Sequence, residues 1–153
     1  NFSQNNYPLS DGKNVFSISP DGNLLAIDLL LGKKNWSVGL KEILNQFYIS
    51  PDKQKLFLLD RKGMMSIISA KDGKEIGKID FKKSELFSFV ITELNEETLV
   101  GFSDGSVYTF NSKFIPKEII SADQIPITSI NVISPKEFVV KNIFGKITFY
   151  KIN

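Results

Sequence analysis

Four glycines stand in equivalent settings along the chain, at a nearly constant spacing. Gly22, Gly63, Gly105 and Gly145 are separated by 41, 42 and 40 residues. Each glycine follows a short apolar run and precedes a second run, which usually alternates between apolar and polar residues. Two such runs joined by a glycine-containing turn predict a β-hairpin. The chain is therefore expected to repeat one hairpin-based unit four times, which constrains its fold more than any other feature.

Each repeat holds more than its hairpin. A second glycine turn, at Gly32 and Gly73, follows the hairpin in the first two units and leads into another short apolar segment. A leading apolar run precedes the hairpin, as in residues 47–50. No segment of ten or more residues has the periodicity of a helix. Each period therefore predicts four short antiparallel strands joined by tight turns.

A four-stranded unit of roughly 41 residues matches the blade of a β-propeller, which usually has about 40 to 45 residues. Near-continuous apolar runs such as residues 56–59 favour this fold over a β-sandwich, because neighbouring blades cover both faces of a strand. We predict an all-β propeller segment over residues 1–153, with about four four-stranded antiparallel blades. The approximate blades are 5–45, 46–86, 87–126 and 127–153, and the last lacks its outer strand.

The number of blades in the whole ring is a separate question. A ring of seven or eight such blades needs roughly 290 to 330 residues, and we favour the C-terminal half of such a ring. Two alternatives remain. One is a closed four-bladed ring that uses residues 1–7 as the missing strand, and the other is a half-ring that dimerises. Because uncovered edges pair with other chains, we expect either the upstream half of the same propeller or self-association. The residues expected at or near that junction are Val15, Phe16, Phe149 and Tyr150.

Composition removes several classes of function. The net charge of +2, from 19 basic and 17 acidic residues, is too small for a dedicated nucleic-acid binder. The absence of Cys and His removes thiolate chemistry, imidazole zinc sites and Ser-His-Asp triads. No run reaches the ~20 apolar residues that a membrane-spanning helix needs. We predict no nucleic-acid partner, no membrane-spanning segment, no catalytic residue, and no cofactor or metal site.

Residues 26–36, AIDLLLGKKNW, resemble the PQQ-type propeller repeat, whose usual form is A-x-D-x-x-T-G-x-x-x-W. Leu31 occupies the Thr position, and the second unit keeps Gly73 of the pattern. The positions in register are Ala26, Asp28, Gly32 and Trp36. The resemblance implies structural roles, with the Trp packed between adjacent blades and the Gly in a turn. The WD-repeat family is the near alternative, although the sequence has no Gly-His or Trp-Asp pair.

The resemblance implies a non-enzymatic scaffold for protein–protein interaction, similar to PQQ-like assembly scaffolds, in a periplasmic or membrane-associated location. The alternative is a degenerate quinoprotein dehydrogenase, or another propeller enzyme, whose active residues lie in further blades. Antiparallel order places Arg61, Lys62 and Phe144 in turns on one rim of the sheets. Because Arg and aromatic residues are enriched at binding hot spots, this rim is the predicted partner surface.

Overall fold

The computed structural model describes residues 7–40, 47–83, 89–94 and 97–151, which form fifteen strands. They make four antiparallel sheets in which each strand pairs with the next along the chain. The first sheet contains β1 (Leu9–Ser10), β2 (Asn14–Ile18), β3 (Asn23–Asp28) and β4 (Lys34–Gly39). The second contains β5 (Phe47–Ile49), β6 (Lys55–Leu59), β7 (Met64–Ser69) and β8 (Glu75–Asp80). The third contains β9 (Phe89–Leu94), β10 (Glu97–Phe102), β11 (Val107–Phe110) and β12 (Lys117–Ile120). The fourth contains β13 (Ile127–Ser134), β14 (Glu137–Asn142) and β15 (Ile147–Lys151).

The sheets follow one another around a common axis, because the first strands of neighbouring sheets contact each other. Strand β1 contacts β5, and β9 contacts β13. The later strands of each sheet lie progressively further from this inner row. The predicted all-β propeller architecture is confirmed, with four antiparallel sheets and no helix among the described residues.

Apolar side chains fill the three junctions between consecutive sheets. Large aromatic rings dominate the second junction, where Phe81 lies edge-on to Phe102 with their ring centroids 4.9 Å apart. Between the first and second sheets, the buried residues are Phe16, Leu24, Ala26, Phe47, Leu56, Leu58, Ile68 and Ala70. Between the second and third they are Phe57, Leu59, Met65, Ile67, Ile79, Phe81, Phe89, Val100, Phe102 and Phe110. Between the third and fourth they are Leu94, Leu99, Val107, Ile127, Ile130, Phe138 and Val140.

Two residues expected at the open ends of the propeller segment lie in these internal junctions instead. Phe16 is buried between the first and second sheets, and Tyr150 packs between the third and fourth. Successive strand residues point to opposite faces, so their neighbours Val15 and Phe149 face away from those junctions. The expectation was therefore wrong for Phe16 and Tyr150 by one residue of register.

The blade boundaries mostly fall outside the described residues. This holds for the proposed boundaries at 5, 45–46, 86–87 and 153, and for residues 1–6 of the proposed missing strand. Strand β13, the first of the fourth sheet, begins at Ile127, and the division of the chain into blades stays a prediction. The one connection between sheets that is described throughout, residues 121–126, is short and contains no helix.

Candidate interaction rims

The first rim consists of the turns between the second and third strands of each sheet, together with the connections to the next sheet. Backbone hydrogen bonds tie these two parts together. The Leu40 amide donates to the Gly22 carbonyl over 3.0 Å, and the Phe81 amide donates to the Gly63 carbonyl over 3.0 Å. Both glycines have positive φ angles, of 80° and 79°, which side chains with a Cβ rarely adopt. The described turns of this rim are thus tight and held by backbone hydrogen bonds.

The turn of the second sheet presents Arg61 and Lys62 to solvent. The Oδ1 atom of Asp60 accepts hydrogen bonds from the backbone amides of Lys62, over 2.8 Å, and Met64, over 2.9 Å. The Gly63 amide donates to the Asp60 carbonyl over 3.2 Å. These bonds fix the turn backbone below the two cationic side chains. A groove next to this turn, between the first and second sheets, is lined by residues that include Leu40, Lys62, Met64 and Asp80.

The equivalent turn of the fourth sheet presents Phe144, which is 80% exposed, and Ile143. The Oδ1 atom of Asn142 accepts hydrogen bonds from the amides of Phe144 and Lys146, each over 3.0 Å. Phe144 directly precedes its repeat glycine, as Lys62 does in the second sheet. The predicted rim residues therefore occupy equivalent turns, but the third sheet lies between them.

An ion pair crosses the first rim between the second and third sheets. The ammonium of Lys83 lies 2.8 Å from the Asp104 carboxylate and 5.2 Å from the ring centre of Tyr108. Burial disfavours the charged form of Asp104, but hydrogen bonds from Lys83 and Ser106 outweigh burial and lower the pKa of this carboxyl. Burial likewise works against the Lys83 charge, yet the hydrogen bond and attraction to Asp104 raise the pKa of Lys83. The pair is ionised and stabilises the junction beneath the rim.

The second rim consists of the turns at the other end of the sheets, and it carries an apolar tip that the sequence interpretation missed. Leu29, Leu30 and Leu31 form the turn between β3 and β4, and Leu30 is 93% exposed. The Oδ1 atom of Asp28 accepts hydrogen bonds from the amides of Leu30, over 2.9 Å, and Leu31, over 2.8 Å. Three consecutive leucines at a position where turns are normally polar were the available signal.

The residues of the PQQ-type signature surround this same turn. Asp28 holds its backbone, and Gly32 closes it with a φ angle of 64°. Trp36 pairs across the strands with the fully buried Ala26. Its indole Nε1 donates to the Ala70 carbonyl of the second sheet over 3.2 Å. These residues therefore make turn and packing contacts in the structure.

The indole of Trp36 lies directly against a glycine of the neighbouring sheet. A Cβ atom added to Gly73 would lie 2.8 Å from the indole, so only a glycine permits this contact. At the next junction the arrangement is reversed. Gly77 occupies the Trp position of the second unit, and a Cβ there would lie 2.5 Å from the Phe114 ring of the third sheet. An aromatic ring on one sheet thus covers a glycine on the other at both junctions.

The described carboxylates hold turns rather than gather into a metal site. No group of three or more metal-ligating side chains occurs among the described residues. Asp28, Asp60 and Asp104 each accept hydrogen bonds from backbone amides of their own turns. None of the described residues belongs to a helix with the length and apolarity that a membrane crossing requires.

Comparison of the sequence with protein-family models and with curated proteins finds no match. Solved structures resemble the fold closely despite low sequence identity. The computationally designed Ika4 protein superimposes with a TM-score of 0.74 at 13% identity, over 95% of this chain and 89% of its own. KlHsv2 with loop 6CD replaced by a Gly-Ser linker gives 0.76 at 9% identity, over 95% of this chain and 52% of its own. The RRP9 WD40 repeats give 0.73 at 17% identity, over 93% of this chain and 46% of their own.

These similarities define the class of fold. The neighbours include WD40-repeat propellers, so the chain has a WD-like β-propeller architecture. It spans about half the length of KlHsv2 and of the RRP9 repeats. Membership of the PQQ-type family stays a prediction from residues 26–36.

Proposed function

We propose that the chain is a non-enzymatic β-propeller scaffold that binds a protein partner through its first rim. The observation that carries this proposal is the exposed Phe144 on a turn fixed by Asn142 and Gly145. Aromatic side chains bury large apolar areas at low conformational cost, because few torsions must be fixed. A turn backbone that is already fixed by hydrogen bonds loses less conformational entropy on binding than a flexible loop would.

Arg61 and Lys62 supply the polar part of the same surface. They occupy the equivalent turn of the second sheet and are exposed. The turns of the second and fourth sheets lie on the same rim with the third sheet between them. A partner that contacts both turns must therefore span the third sheet. Arg can donate several hydrogen bonds in a fixed geometry, which favours carboxylates on the partner. We therefore expect the partner to combine an apolar pocket for Phe144 with acidic residues near Arg61.

Site-specific photo-crosslinking in the producing cell tests this proposal. A photoreactive phenylalanine analogue at position 144 should give a discrete cross-linked product with another protein. Arg61→Glu in the same chain should weaken that product, because both residues contact one partner. The matched control places the analogue at Glu118, which is exposed on β12. A product of equal strength from position 118, or none from position 144, would contradict the proposal.

The same experiment at position 30 distinguishes the two rims. Leu30 lies on the second rim, and its side chain is more exposed than that of Phe144. Cross-linking to another protein from position 30 and not from position 144 would move the partner surface to the second rim and contradict the first-rim assignment. Cross-linked products from both positions would support the first-rim assignment if Arg61→Glu weakens only the product from position 144.

The quinoprotein alternative is less well supported by the described residues. A quinone cofactor of that class is accompanied by a calcium ion, which needs several oxygen ligands. No group of three or more His, Cys, Asp or Glu side chains occurs among the described residues, and the alternative places its active residues in further blades. A titration with pyrroloquinoline quinone and calcium, followed by near-ultraviolet absorbance, tests the alternative directly.

A further inference from the structure

The turn between β3 and β4 on the second rim carries the most exposed large apolar side chain among the described residues. Leu29, Leu30 and Leu31 are 53%, 93% and 69% exposed, and we call them the leucine tip. The tip is a fixed protrusion, because Asp28 accepts hydrogen bonds from the Leu30 and Leu31 amides. The Gly32 amide closes the turn by donating to the Asp28 carbonyl over 2.9 Å. A run of exposed leucines in a turn indicates a binding surface, since turns are normally polar.

The equivalent turn of the third sheet carries a second apolar tip on the same rim. The ring of Phe114 lies against Gly77 of the second sheet, which anchors this turn. The Phe114 amide also donates to the Asn111 carbonyl over 2.9 Å. The next residue, Ile115, is 69% exposed. Two fixed apolar tips therefore lie on one rim, with the second sheet between them.

Lysines outnumber acidic residues in the turns around these tips. The lysines between consecutive strands in the described turns of the second rim are all exposed, and they are Lys13, Lys33, Lys53, Lys71, Lys74, Lys113 and Lys136. The acidic residues of the same turns are Asp11, Asp52 and Asp72, and each accepts a hydrogen bond from a backbone amide of its own turn or of the residue after it.

The first rim is closer to charge balance. The basic residues of its described turns and connections are Arg61, Lys62, Lys82, Lys83 and Lys146, and the acidic ones are Asp21, Asp60, Asp104 and Asp123. The excess of positive charge is therefore larger on the rim that carries both apolar tips.

We infer that the second rim binds the surface of an anionic lipid bilayer. The leucine tip and Ile115 enter the boundary between headgroups and acyl chains, and the surrounding lysines lie among the lipid phosphates. Exposed apolar side chains and basic residues on one surface are the two features that hold proteins at such an interface. The negative surface potential of anionic lipids attracts the lysines, which a zwitterionic surface would not.

The shape of the rim favours a bilayer over a protein as the occupant. The leucine tip and Ile115 protrude from separate turns, so a protein partner would need two separate pockets at a matching distance. A bilayer accepts protruding apolar side chains at any point of its surface. The lysines can lay their aliphatic stems beside the tips while their ammonium groups stay in contact with water and phosphate.

This inference goes beyond the proposed function, because it uses none of the first-rim residues Arg61, Lys62 and Phe144. A bilayer on the second rim leaves the opposite rim accessible to a protein partner. The tests below use pure lipids and no partner protein, so either proposal can fail without the other.

Co-sedimentation of the 153-residue chain with lipid vesicles tests the inference. Vesicles of equal parts phosphatidylcholine and phosphatidylserine should bind the wild-type chain, and phosphatidylcholine alone should bind it far more weakly. Leu30→Asn should weaken binding to the mixed vesicles about tenfold, because one apolar side chain no longer leaves water. Ile143→Asn is the matched control, since Ile143 is 59% exposed in a first-rim turn, and it should bind like the wild type.

A charge reversal on each rim separates local from overall electrostatics. Lys33→Glu next to the leucine tip should weaken binding to the mixed vesicles about fivefold or more. Lys146→Glu makes the same change of net charge in a first-rim turn and should have a clearly smaller effect, because charges more than a Debye length from the lipid surface are screened.

A fluorophore at the leucine tip tests insertion directly. The chain has no Cys, so Leu30→Cys can be labelled at that position alone with an environment-sensitive dye. Its emission should shift to shorter wavelength on the mixed vesicles, whereas the same dye on Ile143→Cys should not respond. A wild-type chain that stays in solution, a Leu30→Asn chain that binds like the wild type, equal effects of the two charge reversals, or an unshifted emission at position 30 would overturn the inference. If Leu30→Asn loses the circular dichroism of the wild type, Leu31→Asn takes its place.

Discussion

The junction between the second and third sheets and strand β15 of the fourth sheet use the same repeat positions in opposite environments. Ile67 and Phe149 both lie four residues after a repeat glycine. Ile67 is fully buried, whereas Phe149 is 74% exposed. The repeat therefore places an apolar side chain at this position in both sheets, but the presence of a neighbouring sheet determines how much that side chain contributes to the free energy of unfolding. An apolar residue without its neighbour becomes a potential interface.

The largest effect should come from truncating the same position in the two regions. Ile67→Ala removes buried methyl groups and leaves a cavity, so it should lower the free energy of unfolding by about 2–5 kcal/mol. Phe149→Ala should change it by less than about 0.5 kcal/mol in dilute protein, because the side chain has no described sheet to leave. Urea unfolding at two protein concentrations measures both. Equal losses at Ile67 and Phe149 would contradict the comparison.

Most of the architecture could be predicted from the sequence because the repeat is local. The spacing of Gly22, Gly63, Gly105 and Gly145 gave the hairpins, and the apolar runs gave sheets covered on both faces. The direction of individual residues was less accessible. A register change of one residue moves a side chain to the other face, and Phe16 and Tyr150 were assigned to the wrong side for this reason.

Contacts between units were the least predictable part of the candidate site. Phe114 of the third sheet lies against Gly77 of the second. In the repeat pattern, the position of Gly77 is the one that carries the Trp, so the pattern alone would place the aromatic ring on the second sheet. Which ring covers which glycine depends on the packing of two sheets, and a pattern within one unit does not contain it. The exposure of Leu30 and Phe149 has the same origin, because no local pattern states whether a neighbour is present.

A smaller difference in the free energy of unfolding should distinguish Ala substitutions at two glycines with nearly the same backbone conformation. Gly105 and Gly145 have φ angles of 88° and 79°. A Cβ at Gly105 would lie 2.0 Å from Asp123 Oδ1 and 2.9 Å from the Ile125 carbonyl oxygen, whereas a Cβ at Gly145 would have nothing within 4 Å. Gly145→Ala should therefore cost about 1 kcal/mol from the backbone alone, and Gly105→Ala should cost roughly twice as much. Thermal or urea unfolding of both variants measures the difference, and a larger cost at Gly145 would show that the crowding at Gly105 is relieved without loss.

The smallest effect should distinguish two ion pairs by their environment. Lys83 and Asp104 join the second and third sheets with side chains that are 15% and 20% exposed, whereas Lys151 and Glu137 lie on the fourth sheet at 68% and 43%. Asp104→Asn keeps an oxygen that can accept from Ser106 but removes the charge, so it should lower the free energy of unfolding by about 1 kcal/mol at neutral pH. Glu137→Gln should leave it unchanged within error, because exposed pairs contribute little.

The pH dependence of the same variants gives the sign of this effect. The pKa of Asp104 is lowered in the folded chain, since the hydrogen bonds from Lys83 and Ser106 outweigh the cost of burial. Its contribution is therefore complete above the ordinary Asp pKa of about 4 and is lost as the pH falls through the lower folded-state value. The raised pKa of Lys83 places the loss of its own contribution at alkaline pH, above the ordinary value for Lys. The stability difference between wild type and Asp104→Asn should thus be constant near neutrality and shrink in acid, as measured by urea unfolding at a series of pH values. A difference that persists unchanged through the acid range would mean that the Asn side chain disturbs the turn at Ser106 and that the charge of Asp104 does not stabilise the junction.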